Sequence, residues 1–85
     1  MSIEILNPDG STISPDCTGQ PTPAQMQEWV GGHTERIQHP FLGVQVFRNK
    51  DGLSENLAYN HEASAIFGSA LHGPVVVLTE DNQLT

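Results

Sequence analysis

His33 and Glu35 lie two residues apart, so on an extended strand both side chains leave the same face. An imidazole beside a carboxylate is the smallest set able to do general acid–base work. Arg48, brought alongside by a hairpin, would add a cation that fixes a polar ligand. Residues 33–38 and 42–48 read as the two arms of such a hairpin, joined through His39-Pro40-Phe41. With Gln38 set opposite Gly43, Ile37 faces Val44, Glu35 faces Val46 and His33 faces Arg48. The three polar groups then share the core-facing side with Ile37, Val44 and Val46, at its outer end. Polar groups on an apolar face must find partners. They form either a small pocket for a polar ligand or, more simply, a rim ion pair worth less than ~1 kcal/mol.

Other residue types invite other chemistry. Gly31-Gly32 would let a ligand approach the backbone, but complete helix signals before it make a helix stop the better reading. It is no phosphate loop, because the Gly-x-x-x-x-Gly-Lys spacing is absent. Asn60 caps a second helix, whose free backbone donors would attract an anion with help from Lys50 or Arg48, though an ordinary cap is the better reading. His33, His39, His61, His72 and Cys17 suggest a metal, yet no Cys-x-x-Cys, His-x-x-x-His or His-Glu-x-x-His occurs. Cys17 stands beside Asp16, whose charge disfavours a reactive thiolate. The candidate ligand-binding set is therefore Gly31, Gly32, His33, Glu35, Arg48, Asn49, Tyr59 and Asn60, with no catalytic residue, metal or cofactor assigned. A concave pocket lined by Trp29, Glu35, Arg48 and Tyr59 would favour a small-molecule binder, and a flat apolar patch without a cavity a protein binder.

The surroundings narrow the class. Ten acidic and three basic residues give a net charge of −7, which opposes binding to nucleic acid or to an anionic membrane. The cations, Arg36, Arg48 and Lys50, all fall in the middle third. One cysteine excludes an intrachain disulfide and suits the reducing cytoplasm. No apolar run approaches the ~20 residues that span a bilayer, and the N-terminal residues lack a signal-peptide pattern. Eighty-five residues make one domain with a modest core.

These residues need elements to position them. Ile3–Leu6 and Ser11–Ile13 read as short strands around the turn Asn7-Pro8-Asp9-Gly10, followed by a loop to Pro21. Thr22 and Gln25 have capping-box spacing, with Pro23 at the first helical position. The helix through Val30 presents Met26, Trp29 and Val30, with Trp29 as the main anchor. Asn49-Lys50-Asp51-Gly52 is a turn, and residues 53–59 are ambiguous, a further strand being one reading. Asn60 to Phe67 forms the second helix, with Ala63, Ile66 and Phe67 inward and Gly68 at its end. Val75-Val76-Val77-Leu78 is an unbroken apolar run, the pattern of a buried central strand, before a turn at Glu80-Asp81-Asn82. The expected fold is α+β: a small, mainly antiparallel sheet with two short helices on one face. Residues 1–21 form an N-terminal hairpin and loop, and 22–85 the core.

From about residue 24 onward the chain resembles a phage and bacterial domain-of-unknown-function family, DUF3846. The pattern reads here as Gln27-Glu28-Trp29-Val30-Gly31-Gly32, then Glu35, Asn49-Lys50-Asp51-Gly52, Leu57 to Ala63 with Asn60, and Gly73-Pro74-Val75-Val76. Ala58, Lys50 and His33 depart from it, standing where the family often has proline, an acid and an aromatic residue. The resemblance implies a cytoplasmic accessory protein and brings no established activity. The leading expectation is a protein that is not an enzyme and acts by binding a host protein or a second copy of itself through a sheet edge or face. The alternatives are sequestration of a small nucleotide-like signal, in a pocket near residues 31–35 and 49–61, and, more remotely, a small hydrolase using His33 and Glu35.

Overall fold

The computed structural model describes residues 2–15, 21–37, 44–52 and 54–79. Expectations for Cys17, His39, the hairpin end at 38–43, Leu53 and the turn after residue 79 lie outside the described residues.

The first strand, β1 (Ser2–Leu6), turns back into the two-residue β2 (Thr12–Ile13). Gly10 takes φ +93°, the left-handed conformation that lets the turn close. Asp9 accepts hydrogen bonds from the Ser11 hydroxyl (2.7 Å) and the Ser11 backbone N–H (2.8 Å). These bonds hold its carboxyl below the usual carboxylate value, the hydroxyl contributing most.

Helix α1 (Pro23–Val30) has both halves of the capping box: Gln25 N–H donates to Thr22 Oγ1, and Thr22 N–H donates to Gln25 Oε1. Gly31 ends it at φ +83°. The Gly31 and Gly32 N–H groups both donate to the Gln27 carbonyl, so the stop is complete. Strands β3 (Thr34–Ile37) and β4 (Val44–Asn49) follow, then α2 (His61–Phe67) and β5 (Val75–Thr79).

The strands form one antiparallel sheet in the order β2-β1-β5-β4-β3. The Val75–Leu78 run is central, as its continuous apolarity predicts. Alternation divides its side chains between two cores. Ile3, Ile5, Val76 and Leu78 meet Met26 and Val30 of α1 on one face. Leu6, Val46, Val75 and Val77 meet Ala63 and Leu71 on the other, with Phe67 of α2 packed alongside.

The α+β class and the antiparallel sheet with two short helices agree with the sequence. The placement of the helices on one face does not: each covers its own face. A strand that is apolar at every position has two faces to bury, and one helix layer cannot cover both.

Four local expectations change as well. The β3–β4 register pairs Ile37 with Val46, Glu35 with Arg48 and Thr34 with Asn49. This is a slip of two residues from the expected pairing. An even slip keeps every side chain on its face, so the hydrophobic pattern alone does not separate the two registers. Trp29 is partly buried at the edge of the first core, whereas Val30 is wholly buried. On so short a helix Met26 and Val30, four apart, take the centre of the face and Trp29 flanks it. Ile66 is exposed, because the inward side of α2 runs through Ala63, Ser64 and Phe67. Finally, residues 54–59 are not a strand. Asn56 sits at φ +58°, and Glu55 and Leu57 N–H bond back to the Asp51 and Gly52 carbonyls, which are turn contacts.

Candidate functional site

Strand β4 ends in Arg48 and Asn49, and the chain then turns sharply. Asp51 N–H donates to Asn49 Oδ1 (2.8 Å), and Gly52 N–H donates to the Asn49 carbonyl (3.2 Å). Asn49 itself is buried. Its amide nitrogen donates to the Val30 carbonyl (3.2 Å), one of the open acceptors at the end of α1, and lies 3.4 Å from Glu55 Oε1. Gly32 makes room for that amide: a Cβ there would stand 2.9 Å from Asn49 Nδ2. The double glycine thus divides its work, with Gly31 stopping the helix and Gly32 admitting the asparagine.

The turn closes on the segment before β5. A Cβ on Gly52 would lie 2.8 Å from the His72 carbonyl oxygen, so a glycine is what lets the two backbones meet. His72 pairs with Tyr59 in an isolated antiparallel bridge, and Gly73 N–H donates to the Ala58 carbonyl. His72 Nδ1 lies 3.2 Å from the Leu57 carbonyl, an arrangement in which Nδ1 carries the proton and donates. Tyr59 stands exposed beside it, edge-on to His72 (5.4 Å between centroids) and to His61 (4.7 Å).

Between these segments lies a cleft of about 260 Å³, lined by Arg48, Asn49, Lys50, Gly52, Ala70 and His72. The chain has three basic residues, and two of them line this one cleft. The third, Arg36, is opposite Phe47 on the other side of the sheet. Arg48 is shared. Its Nε and Nη2 both donate to Glu35 Oε1, at 2.9 and 2.7 Å, and both side chains remain more than a third exposed. Two of the five guanidinium N–H groups are used in this way. The others have no protein acceptor among the described residues.

The structure therefore sorts the sequence candidates. Arg48 and Asn49 line the cleft. Glu35 reaches it only through Arg48. Tyr59 does not line the cleft but touches His72, which does. His33 is exposed, and its carbonyl accepts from Lys50 N–H (2.8 Å); with the register shifted, it no longer faces Arg48. Trp29 packs on the opposite core, and the cleft is lined by neither Trp29, Glu35 nor Tyr59, so it is not the pocket that would have marked a small-molecule binder in the sequence.

Asn60 is wholly buried and fully engaged. It accepts from Ala63 N–H (3.0 Å) and donates to the Leu6 (2.8 Å) and Gly73 (2.9 Å) carbonyls. It is structural, not a ligand contact.

Sequence reasoning did not place Ala70 and His72 at a site. Only the bridge between Tyr59 and His72 brings them there, and a lone histidine thirteen residues downstream carries no local signal of it.

Compared with known proteins, the chain matches no family model, no curated protein and no solved structure at a significant level. The likeness to the DUF3846 family rests on its motifs alone. Among the described residues, no cluster of three metal-binding side chains is present, and no helix is long and apolar enough to cross a membrane.

Proposed function

We propose that the protein acts by binding, and that the cleft at the end of β4 holds the phosphate of a small nucleotide-like ligand. The convergence of Arg48 and Lys50 on one concavity, in a chain with a single further cation, carries this reading. Arginine offers a planar fork of donors to an oxyanion and lysine a point charge. At about 260 Å³ the space is below the ~300–1,000 Å³ of pockets that enclose a whole drug-sized molecule, so it suits a head group with the rest of the ligand outside. The exposed Tyr59 packs edge-on against His72, one of the residues that line the cleft. A hydrolytic role draws less support, since Glu35 is engaged by Arg48 and His33 stands apart from both. The cytoplasmic, phage or bacterial accessory setting suggested by the sequence belongs to this proposal.

A titration of adenosine monophosphate followed by amide chemical shifts tests it. Saturable shifts at residues 48–52 and 70–72 are expected, with Lys50→Ala weakening the complex at least tenfold and Arg36→Ala leaving it unchanged. Equal losses in both variants, or no saturation at millimolar ligand, would refute the assignment.

One observation favours a second reading, binding of a host protein or a second copy. Strand β3 ends the sheet, and its outer edge pairs with no described strand. Light scattering across a concentration series distinguishes self-association from binding of a small ligand by a monomer.

A further inference from the structure

Resting on the anion-binding reading of the cleft, we propose that Glu35 is a built-in counter-ion that competes with the ligand for Arg48 and sets the affinity low. The geometry is specific. Both hydrogen bonds from Arg48 end on one oxygen, Glu35 Oε1, and they use the Nε and Nη2 edge of the guanidinium. Direct cross-strand pairing of the two residues holds that contact in place. The pair is also open to solvent, with side-chain exposures of 36% and 42%, so water screens it and the bond exchanges readily. An oxyanion in the cleft meets a cation whose charge is already partly balanced.

The size of the effect follows from elementary electrostatics. An anion hydrogen-bonded to the far side of the guanidinium would sit about 6–7 Å from the carboxylate, two hydrogen-bond lengths plus the width of the group. In water-like surroundings, removing that negative charge tightens binding about threefold for each unit of ligand charge. A dianion therefore gains about tenfold and a monoanion about threefold, the first factor near the square of the second. Added salt shrinks both gains, because the pair and the ligand are screened alike. A residue that merely aimed the guanidinium would give the opposite sign.

Glu35→Gln keeps the shape and an acceptor oxygen while dropping the charge, and Glu35→Ala drops both. Methyl phosphate, a dianion at pH 8, and dimethyl phosphate, a monoanion, are the probes, with amide shifts at residues 48–52 as the readout. Tighter binding in both variants, larger for methyl phosphate and reduced at high salt, is the expected result. Weaker or unchanged binding in both, while Lys50→Ala still weakens methyl phosphate, overturns the counter-ion role and leaves the cleft reading standing. Failure of the wild type and of every variant to bind methyl phosphate overturns the cleft and this role together. Thermal melts establish that the variants are folded.

Discussion

Replacing Asn60 with alanine should be among the most damaging single changes to this fold. The wholly buried amide ties three elements that are far apart in sequence: its oxygen caps α2 at Ala63 N–H, and its nitrogen holds the Leu6 carbonyl at the end of β1 and the Gly73 carbonyl ahead of β5. Loss of the cap costs about 1 kcal/mol. The two carbonyls, left without that donor, add about 1–2 kcal/mol each. The sum, about 3–5 kcal/mol, is large against the roughly 4–13 kcal/mol expected for a domain of this length at ~0.05–0.15 kcal/mol per residue. At 4–8 °C per kcal/mol, the melting temperature should fall by on the order of 20 °C. Urea unfolding followed by circular dichroism measures the loss directly.

Asn60→Asp sharpens the test. It keeps the capping oxygen but sets a carboxylate against two carbonyls, so at pH 7 it should lose at least as much stability as alanine. The folded state then favours the protonated acid, which raises its folded pKa above the unfolded value. Stability must return as pH falls through that raised pKa and be lost as pH rises through it. A loss under 1 kcal/mol for Asn60→Ala, or no acid recovery for Asn60→Asp, would refute the idea that these bonds support the fold.

The other predictions concern local geometry. Gly32→Ala should destabilise by about 1–3 kcal/mol in a urea titration, because its new methyl meets the Asn49 amide at 2.9 Å and that amide is held by the Val30 carbonyl. Gly31→Ala meets no atom within 4 Å and should cost about 1–2 kcal/mol through its φ of +83° alone. Thr22→Ala removes the acceptor for Gln25 N–H and should cost about 1 kcal/mol by the same measurement. Ser11→Ala takes away the main bond that lowers the Asp9 pKa, so a carbon-13 titration should show that pKa rising. The sign fixes the pH window: a depressed carboxylate stabilises above its unfolded pKa, and the contribution is lost as pH falls through the folded value, below about pH 4.

The local devices of this fold are legible in the residues themselves. Thr22 with Gln25, Asn60 with Ala63, and Gly31 and Gly68 in left-handed stops each satisfy backbone groups within three or four positions. Their spacing therefore reveals them without knowledge of the rest of the chain. The central place of Val75–Leu78 follows from its continuous apolarity, and that same run already called for cover on both faces.

What needed the assembled sheet is everything carried by long-range pairing. Period-two alternation is blind to an even slip, so only the formed hairpin decided that Glu35, and not His33, stands across from Arg48. Asn60 became a buried strut because β1 and the segment before β5 close over it. The cleft exists because Gly52 lets the β4 turn settle on His72, a contact between residues twenty positions apart that no local pattern encodes.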